Sequence, residues 1–275
     1  MNKKIVFLDI DGTITTFRGE LPESAGKALK EAKAAGHEIV ICTGRTITQI
    51  YPWLLETGCF TGIIAGAGAY MEKDGKVFYS RHVTEEHVKL FVEYMDKLDA
   101  TWFLQADSGV YTSRKIMDRI EVSYRTNKVD REERKRLLGE ILTAEAPTAL
   151  QDVNKMAYYG ASASLEEIRS VLGEVFTVTA SSFELTNTSD GEVTMKGCDK
   201  GTAMERYLAY IGADREDSIA VGDGPNDLEM LDYAAVGVAM GNACEELKAH
   251  ADRITDDVDK DGLYAAFKQM GLLQN

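Results

Sequence analysis

The chain has 275 residues, 44% of them hydrophobic, a length that suits one large domain or two of ordinary size. Its 45 acidic and 31 basic residues give a formal charge of −14, which argues against nucleic-acid or anionic-membrane partners, since both require a positive surface. No apolar run approaches the roughly 20 residues of a membrane span, and the four cysteines lack C-x-x-C spacing. We therefore expect a cytoplasmic protein with reduced cysteines.

The first third of the chain alternates apolar runs with amphipathic segments. Residues 3–9 contain a continuous apolar run that predicts a strand buried on both faces, and residues 21–36 predict a helix that ends at a glycine. A second strand is predicted over 37–45, then a helix interrupted near Pro52, then a third strand over 62–70. This alternation predicts a parallel sheet with helices on its faces.

The middle of the chain follows a different pattern. Between about residues 82 and 190, longer amphipathic helices mix with alternating strands such as VNKMAYY and FTVTAS, which is typical of an antiparallel sheet with helices on one side. The strand and helix alternation then returns. We predict an α/β core formed by residues 1–81 and 191–275, carrying an inserted α+β domain at residues 82–190.

Three predicted core strands end at a polar residue. Asp9 follows IVFL, Thr43 follows IVIC and Asp223 follows IAVG. Because the carboxyl ends of parallel strands line the ligand crevice of an open sheet, we expect these side chains to converge. Asp and Thr also begin ordinary loops. The coincidence of D-x-D-G-T and G-D-x-x-N-D at two strand ends favours a functional site instead.

The clustered carboxylates predict a bound cation. Asp9 and Asp11 lie on one side if the strand continues, and Asp223 and Asp227 add negative charge at the same edge. Like charges about 4 Å apart repel by about 4 kcal/mol at an effective dielectric constant of about 20. Oxygen ligands without histidine or cysteine select a hard ion, and Mg²⁺ binds one or two carboxylates together with waters and a substrate phosphate. We therefore predict Mg²⁺ as the cofactor.

Four motifs, in the order DIDGT, TGR, DKG and GDGPND, resemble those of the haloacid-dehalogenase-like phosphohydrolases. The inserted segment is similar to that of the Cof-type subfamily, in which a large α/β cap follows the third core strand. The resemblance covers the whole chain. It implies a Rossmann-like parallel sheet core with helices on both faces and a cap domain at residues 82–190. It also implies a phosphatase for a small phosphorylated metabolite, such as a sugar phosphate, a nucleotide or pyridoxal phosphate.

The resemblance implies a role for each matching residue. Asp9 would be the nucleophile that forms an aspartyl-phosphate, and Asp11 the general acid and then the general base. Asp9, the Asp11 backbone carbonyl and Asp223 would ligate Mg²⁺, and Asp227 would support the metal through water. Lys200 would neutralise charge on the nucleophile and the phosphoryl group. The phosphoryl oxygens would also be held by Thr43, Gly44 and Asn226.

Some positions leave alternatives open. Ala67 stands where the subfamily usually has an asparagine, and alanine has no amide for a substrate contact. Lys196 competes with Lys200 for the motif lysine, and Lys200 is preferred because its Lys-Gly pair opens a helix. In the insertion, a phosphorylated substrate could use several basic residues, although a solvated position is the preferred interpretation for the group: Arg114, Arg119, Arg125, Lys128 and Lys155.

Asp11 favours a hydrolase, because relatives that only store or move a phosphoryl group often replace this acid-base residue. A phosphomutase, which passes the phosphoryl group to a second substrate hydroxyl, is the alternative enzyme. A non-catalytic phospho-switch is less favoured, since receiver domains are about half this length and have no lid. The sequence gives no indication of the oligomeric state.

Overall fold

Two compact units make up the structure. The computed structural model describes residues 3–126, 130–181 and 189–273. The first unit is formed by residues 3–44, 51–80 and 198–273, and the second by residues 45–50 and the described part of 81–197. Among the helices of these residues, none combines the length and the apolar character that a membrane crossing requires.

The described residues contain fourteen β-strands and ten α-helices. The strands are β1 (Ile5–Leu8), β2 (Glu38–Cys42), β3 (Gly62–Ala65), β4 (Tyr70–Lys73), β5 (Lys76–Ser80), β6 (Thr101–Ala106), β7 (Gly109–Thr112), β8 (Ile141–Thr143), β9 (Val153–Ala161), β10 (Phe176–Ala180), β11 (Ser189–Met195), β12 (Ser218–Gly222), β13 (Val236–Ala239) and β14 (Arg253–Ile254). The helices are α1 (Glu23–Ala34), α2 (Pro52–Glu56), α3 (Glu85–Lys97), α4 (Arg114–Arg125), α5 (Arg131–Leu138), α6 (Leu165–Leu172), α7 (Lys200–Ile211), α8 (Leu228–Tyr233), α9 (Glu245–His250) and α10 (Gly262–Gln269).

The first unit is built on an eight-stranded sheet in the order β14-β13-β12-β1-β2-β3-β4-β5. The strands from β14 to β3 are parallel, and β4 and β5 add an antiparallel hairpin at one edge. Leu8 at the end of β1 lies opposite Ile41 of β2 and Val221 of β12. The carboxyl ends of these three strands are therefore side by side.

Both faces of β1 are buried, which explains its continuous apolar sequence. Ile5 and Phe7 belong to a hydrophobic cluster with residues of α7, α8 and α9, and the Phe7 ring meets the edge of Tyr207 at 5.6 Å between centroids. Val6 and Leu8 point to the opposite face because side chains alternate along a strand, and both are fully buried. The sheet is therefore covered on both sides, as predicted.

The second unit is built on a six-stranded sheet in the order β10-β11-β9-β6-β7-β8. Its neighbouring strands are antiparallel except for β7 and β8, which are parallel. Helices α3 and α6 pack against this sheet. The predicted combination of a mostly parallel α/β core with an α+β insertion agrees with this architecture.

The limits of the units differ from the predicted boundaries at two places. The boundary expected between residues 190 and 191 falls inside β11, which pairs with both β9 and β10 and so belongs to the second unit. Residues 45–50 also belong to the second unit, where Gln49 Nε2 donates to the Leu138 carbonyl at 3.1 Å. Both differences arise from pairings between distant segments, which no local pattern encodes.

Candidate active site

The site begins where three neighbouring strands of the first unit end. Asp9, Thr43 and Asp223 follow β1, β2 and β12 directly, and all three residues are buried. The Asp9 amide donates to the Val221 carbonyl at 3.1 Å, so the sheet pairing extends one residue past β1. Asp9 and Asp223, with Asp227, each offer a carboxylate oxygen within 4.8 Å of the other two.

Lys200 lies among these carboxylates. Its Nζ is 2.6 Å from Asp9 Oδ1 and 2.5 Å from Asp227 Oδ1, and its side chain is 1% exposed. It is the first residue of α7, whose start is capped by the Asp199 side chain through a bond from the Thr202 amide at 2.8 Å. Lys196 is exposed, so Lys200 is the lysine that contacts the carboxylates.

A glycine next to Lys200 brings its helix close to α8. A Cβ on Gly201 would lie 2.5 Å from the Glu229 carbonyl oxygen. Any larger residue would push the start of α7 away from α8, and Lys200 with it.

Asp227 is fully buried and both of its oxygens are in use. Oδ1 accepts from Lys200, and Oδ2 accepts from the backbone amides of Asp223 and Gly224 at 2.9 and 3.0 Å. The side chain thus holds both the lysine ammonium and the backbone at the end of β12.

The Asp223 carboxylate is held by donors on both oxygens. Thr13 Oγ1 donates to Oδ1 at 3.1 Å, and Asn242 Nδ2 lies 3.4 Å from Oδ2. Gly12 packs directly against this carboxylate with φ +85°, and a Cβ there would be 2.2 Å from Asp223 Oδ2. The glycine of DIDGT therefore allows the loop after β1 to contact the end of β12.

The electrostatics of the site favour protonated carboxyls when no cation is bound. Burial raises the pKa of Asp9 to about 7; attraction from Lys200 opposes this shift, and repulsion from Asp227 and Asp11 adds to it. Burial, with repulsion from Asp9 and Asp227, raises the pKa of Asp223 to about 9. For Lys200, burial acts to lower the pKa, but attraction from Asp227 and Asp9 outweighs it and the pKa is raised.

The donor set fits a hard divalent cation. When all three carboxyl groups are ionised they face one ammonium group, and a single lysine does not balance their negative charge. Carboxylate oxygens are the ligands that Mg²⁺ prefers. A cation near Asp9 and Asp223 would favour their ionised forms and reverse the effect of burial on both pKa values.

The remaining predicted site residues, Gly44, Asn226 and Asp11, lie next to the residues described above in the sequence. Gly44 follows Thr43 at the end of β2, and Asn226 is exposed in the turn Pro225–Asp227. The Asp11 side chain lies outside the group of three carboxylates found among the described residues. Its Oδ1 lies 3.4 Å from the hydroxyl of Tyr51.

The basic residues proposed for substrate contacts in the insertion have varied environments. Lys155 is 3% exposed and its Nζ is 2.8 Å from Glu192 Oε2, so its interpretation as a solvated residue was wrong. Arg119 is 2.6 Å from Asp99 Oδ1, and Arg114 is paired with Asp118. Arg125 is exposed, and Lys128 lies outside the described residues.

No sequence pattern indicated that two residues, Asn242 and Tyr51, would lie near the carboxylates. Asn242 lies 230 positions from Gly12, whose carbonyl it contacts, and Tyr51 lies 40 positions from Asp11. Neither belongs to a motif quoted above. Only tertiary contacts bring them to the site.

A family model described as haloacid dehalogenase-like hydrolase matches residues 6–267. The protein belongs to the haloacid dehalogenase-like hydrolases. A curated relative in this family, the "Putative phosphatase YkrA" of Bacillus subtilis, is 29% identical over 275 residues that cover 100% of both chains. The "Pyridoxal phosphate phosphatase YbhA" of Escherichia coli is 24% identical over 96% of this chain and 97% of its own.

A solved member of the haloacid dehalogenase-like hydrolases has the same fold. The subclass IIB sugar phosphatase BT4131 has a TM-score of 0.79 and 28% identity, and the match covers 98% of this chain and 100% of that one. The predicted family, fold class and enzyme class, a phosphatase, are confirmed by these matches.

Proposed function

We propose that the protein is a Mg²⁺-dependent phosphatase that hydrolyses a small phosphorylated metabolite through an aspartyl-phosphate on Asp9. The observation that carries this proposal is the position of Lys200 between Asp9 and Asp227, with Asp223 completing three carboxylates within 4.8 Å. Phosphoryl transfer depends mostly on positioning and charge stabilisation, and this arrangement offers both.

The residues of the chain are assigned the following steps. Asp9 attacks phosphorus, and its Oδ1 is oriented for this by Lys200. Asp11 donates a proton to the leaving oxygen and then removes one from the water that hydrolyses the aspartyl-phosphate. Thr43, the Gly44 amide and Asn226 hold phosphoryl oxygens, while the Lys200 ammonium offsets their negative charge.

Mg²⁺ would be held by Asp9, the Asp11 carbonyl and Asp223, with Asp227 acting through water. When bound, it would reduce repulsion between the carboxylate nucleophile and the phosphoryl group. The Asp227 contacts support the indirect role, since three donors already occupy its oxygens.

The direct test is phosphate release from p-nitrophenyl phosphate with Mg²⁺ present. We expect release that EDTA abolishes and that Asp9→Asn lowers by several orders of magnitude. Asp74→Asn is the matched control, because this exposed aspartate in the turn between β4 and β5 has φ +50°, which asparagine also tolerates. Normal turnover in Asp9→Asn would refute the proposal.

The proposed substrate class is a small phosphorylated metabolite. The relatives include a pyridoxal phosphate phosphatase and a sugar phosphatase, so a panel of sugar phosphates, nucleotides and pyridoxal phosphate ranked by kcat/KM is the informative assay. Measuring phosphate release against transfer to an added sugar separates the hydrolase from the phosphomutase alternative.

The domain roles and the compartment are part of the same proposal. We assign the first unit as the catalytic core and the second as the cap domain of the family. The four cysteines are free thiols, which supports a reducing cytoplasmic setting.

A further inference from the structure

The turn after β13, residues 240–244, forms hydrogen bonds with the backbone at the end of β12. The Met240 amide donates to the Gly222 carbonyl at 2.9 Å, and the Cys244 amide donates to the Asp223 carbonyl at 3.2 Å. Residues 240–244 therefore fix the backbone at the point where β12 delivers its carboxylate. Between these two anchors lies Asn242.

The Asn242 side chain joins three separate segments of the first unit. Nδ2 donates to the Gly12 carbonyl at 2.9 Å and lies 3.4 Å from Asp223 Oδ2, while Oδ1 accepts from the Val258 amide at 2.8 Å. The Val258 amide can only donate, so it requires the oxygen of Asn242 on its side. The NH₂ group is thereby directed to Gly12 and Asp223.

Close contact between the turn at residues 240–244 and the loop at residues 255–262 positions the side-chain amide of Asn242. The Gly241 amide donates to the Asp256 carbonyl at 3.0 Å, and a Cβ on Gly241 would lie 2.4 Å from Asp257 Oδ1. A glycine at 241 therefore lets the turn rest against residues 256–257, which brings Asn242 within reach of Val258.

We propose that Asn242 is a positioning residue for the cation site, because its NH₂ group holds the Asp223 carboxylate and the Gly12 carbonyl in place. This inference rests on the proposed function. Thr13 holds Oδ1 of Asp223 and Asn242 holds Oδ2, so the rotation of the carboxylate is limited before a cation binds. Limiting this freedom reduces the ordering required on binding and increases affinity.

The chemistry of the amide suits this role. Asn242 supplies hydrogen-bond donors without positive charge, whereas a lysine or arginine in the same place would repel a divalent cation. An aspartate would direct a carboxylate oxygen at the Gly12 carbonyl and at Asp223 Oδ2, where a donor is needed.

The test measures Mg²⁺ binding by titration calorimetry on the full chain, without turnover. Asn242→Leu keeps the number and branching of the side-chain heavy atoms and removes the hydrogen bonds, and we expect its Kd for Mg²⁺ to rise by about 10- to 100-fold, as for other partners that orient metal ligands. Saturating Mg²⁺ should restore most of kcat with p-nitrophenyl phosphate. Asn242→Ser, a smaller polar substitution, is measured in parallel in case Asn242→Leu does not fold.

The control separates positioning of Asp223 from general support of the loop at residues 255–262. Thr255→Val removes the bond from Thr255 Oγ1 to the Gly262 carbonyl at 2.8 Å in the same loop and touches no carboxylate of the site. We expect its Kd for Mg²⁺ to stay close to that of the wild-type protein, because no partner of a metal ligand is removed. An equal rise in Thr255→Val, or an unchanged Kd in the folded Asn242 variants, would overturn the inference alone. Failure of the wild-type protein to bind Mg²⁺ would overturn the proposed function as well.

Discussion

Two ionic clusters with buried carboxylates lie at opposite ends of the strands of the first unit, and they differ in charge balance. The carboxyl-end cluster consists of Asp9, Asp223, Asp227 and Lys200. The amino-end cluster consists of Glu38, Lys3, Lys73 and Tyr207, with Glu38 as the first residue of β2. One has three carboxylates for one ammonium, and the other has one carboxylate for two ammonium groups and a phenol.

The charge balance decides what burial does to each carboxylate. Burial acts to raise the pKa of Glu38, but hydrogen bonds from Lys3, Lys73 and Tyr207 outweigh it and the pKa is lowered. At the other end, burial and mutual repulsion raise the pKa of Asp9 to about 7 and of Asp223 to about 9. A buried carboxylate surrounded by donors stabilises the fold, whereas buried carboxylates that outnumber the cations beside them mark a candidate binding site.

Among the variants that compare the two clusters, the largest effect is expected on removing the ammonium group of the carboxyl-end cluster. We expect Lys200→Met to lower kcat for p-nitrophenyl phosphate by about 10²- to 10³-fold, because the phosphoryl charge loses a buried stabilising group. Lys73→Met removes an ammonium group from the amino-end cluster and should leave kcat unchanged, since Glu38 keeps Lys3 and Tyr207. Equal losses in the two variants would contradict the functional distinction between the clusters.

Gly12→Ala tests how closely the carboxyl end is packed. The new Cβ would displace the Asp223 carboxylate, and a shift of about 1 Å in such a group lowers activity by about 100-fold. Gly36→Ala is the matched control, because Gly36 has a similar φ of +89° and no atom within 4 Å of its Cβ position. Both variants should lose stability from backbone strain in thermal melts, but only Gly12→Ala should lose turnover.

Glu38→Gln tests the structural role of the amino-end cluster. We expect the free energy of unfolding at pH 7 to fall by about 1–3 kcal/mol, because Lys73 and Tyr207 lose a charged acceptor. The folded pKa of Glu38 lies below the ordinary value of 4.5, so its contribution is present above pH 4.5 and is lost as the pH falls through the folded pKa. Urea unfolding should therefore show the wild-type advantage shrinking in acid.

The comparison variant for this measurement is Glu31→Gln. Glu31 pairs with Lys27 on the surface at 3.8 Å, and such pairs contribute about 0–1 kcal/mol. If Glu31→Gln lowers the free energy of unfolding as much as Glu38→Gln does, the amino-end cluster stabilises the fold no more than a surface ion pair.

The carboxyl-end cluster should show the opposite pH dependence. The pKa values of Asp9 and Asp223 lie above the ordinary value of 3.8, so the folded state retains protons that the unfolded state has released. In EDTA, the associated stability is fully present below the ordinary pKa of 3.8 and is lost as the pH rises above it; the loss due to Asp9 is complete near pH 7 and that due to Asp223 near pH 9. Mg²⁺ should therefore raise Tm more at alkaline than at acidic pH, by a few degrees.

Asp223→Asn provides the reference for that titration. Both proteins share nearly the same overall charge, so the difference between their Tm values in EDTA isolates the Asp223 carboxyl. A difference that does not change with pH would show that burial leaves the pKa of Asp223 near its ordinary value.

The smallest expected effect concerns backbone strain at the carboxyl and amino ends of the strands in the first unit. Ala67, after β3 at the carboxyl end, has φ +53°, and Asp74, beyond the amino end of β3, has φ +50°. Aspartate and asparagine tolerate this region better than alanine does. We expect Ala67→Asn to raise the free energy of unfolding by about 0.5–1 kcal/mol, whereas Ala35→Asn, at a right-handed position with φ −72°, should bring no gain in urea unfolding.

Local sequence patterns were sufficient for the outline of the fold and for the residues at the strand ends. A continuous apolar run predicts a strand that is buried on both faces, and the polar residue after it lies at the end of that strand. The runs IVFL before Asp9 and IAVG before Asp223 give this information because it depends on neighbouring residues alone. They did not predict the β4–β5 hairpin or β11. The charged and glycine-containing sequence of β11 has low β propensity, and the strand is stabilised by pairing on both sides with β9 and β10.

Tertiary structure decided which partners from distant parts of the chain meet at each cluster. The Lys-Gly pair that opens a helix favoured Lys200 over Lys196 in the sequence, and the packing of α7 beside α8 is what buries Lys200 against Asp9 and Asp227. Asn242 reaches Gly12 across 230 positions of the chain, and Glu38 reaches Tyr207 across 169. Contacts over such separations depend on how the strands and helices pack together, because a local pattern records burial and period but not the partner that a side chain meets.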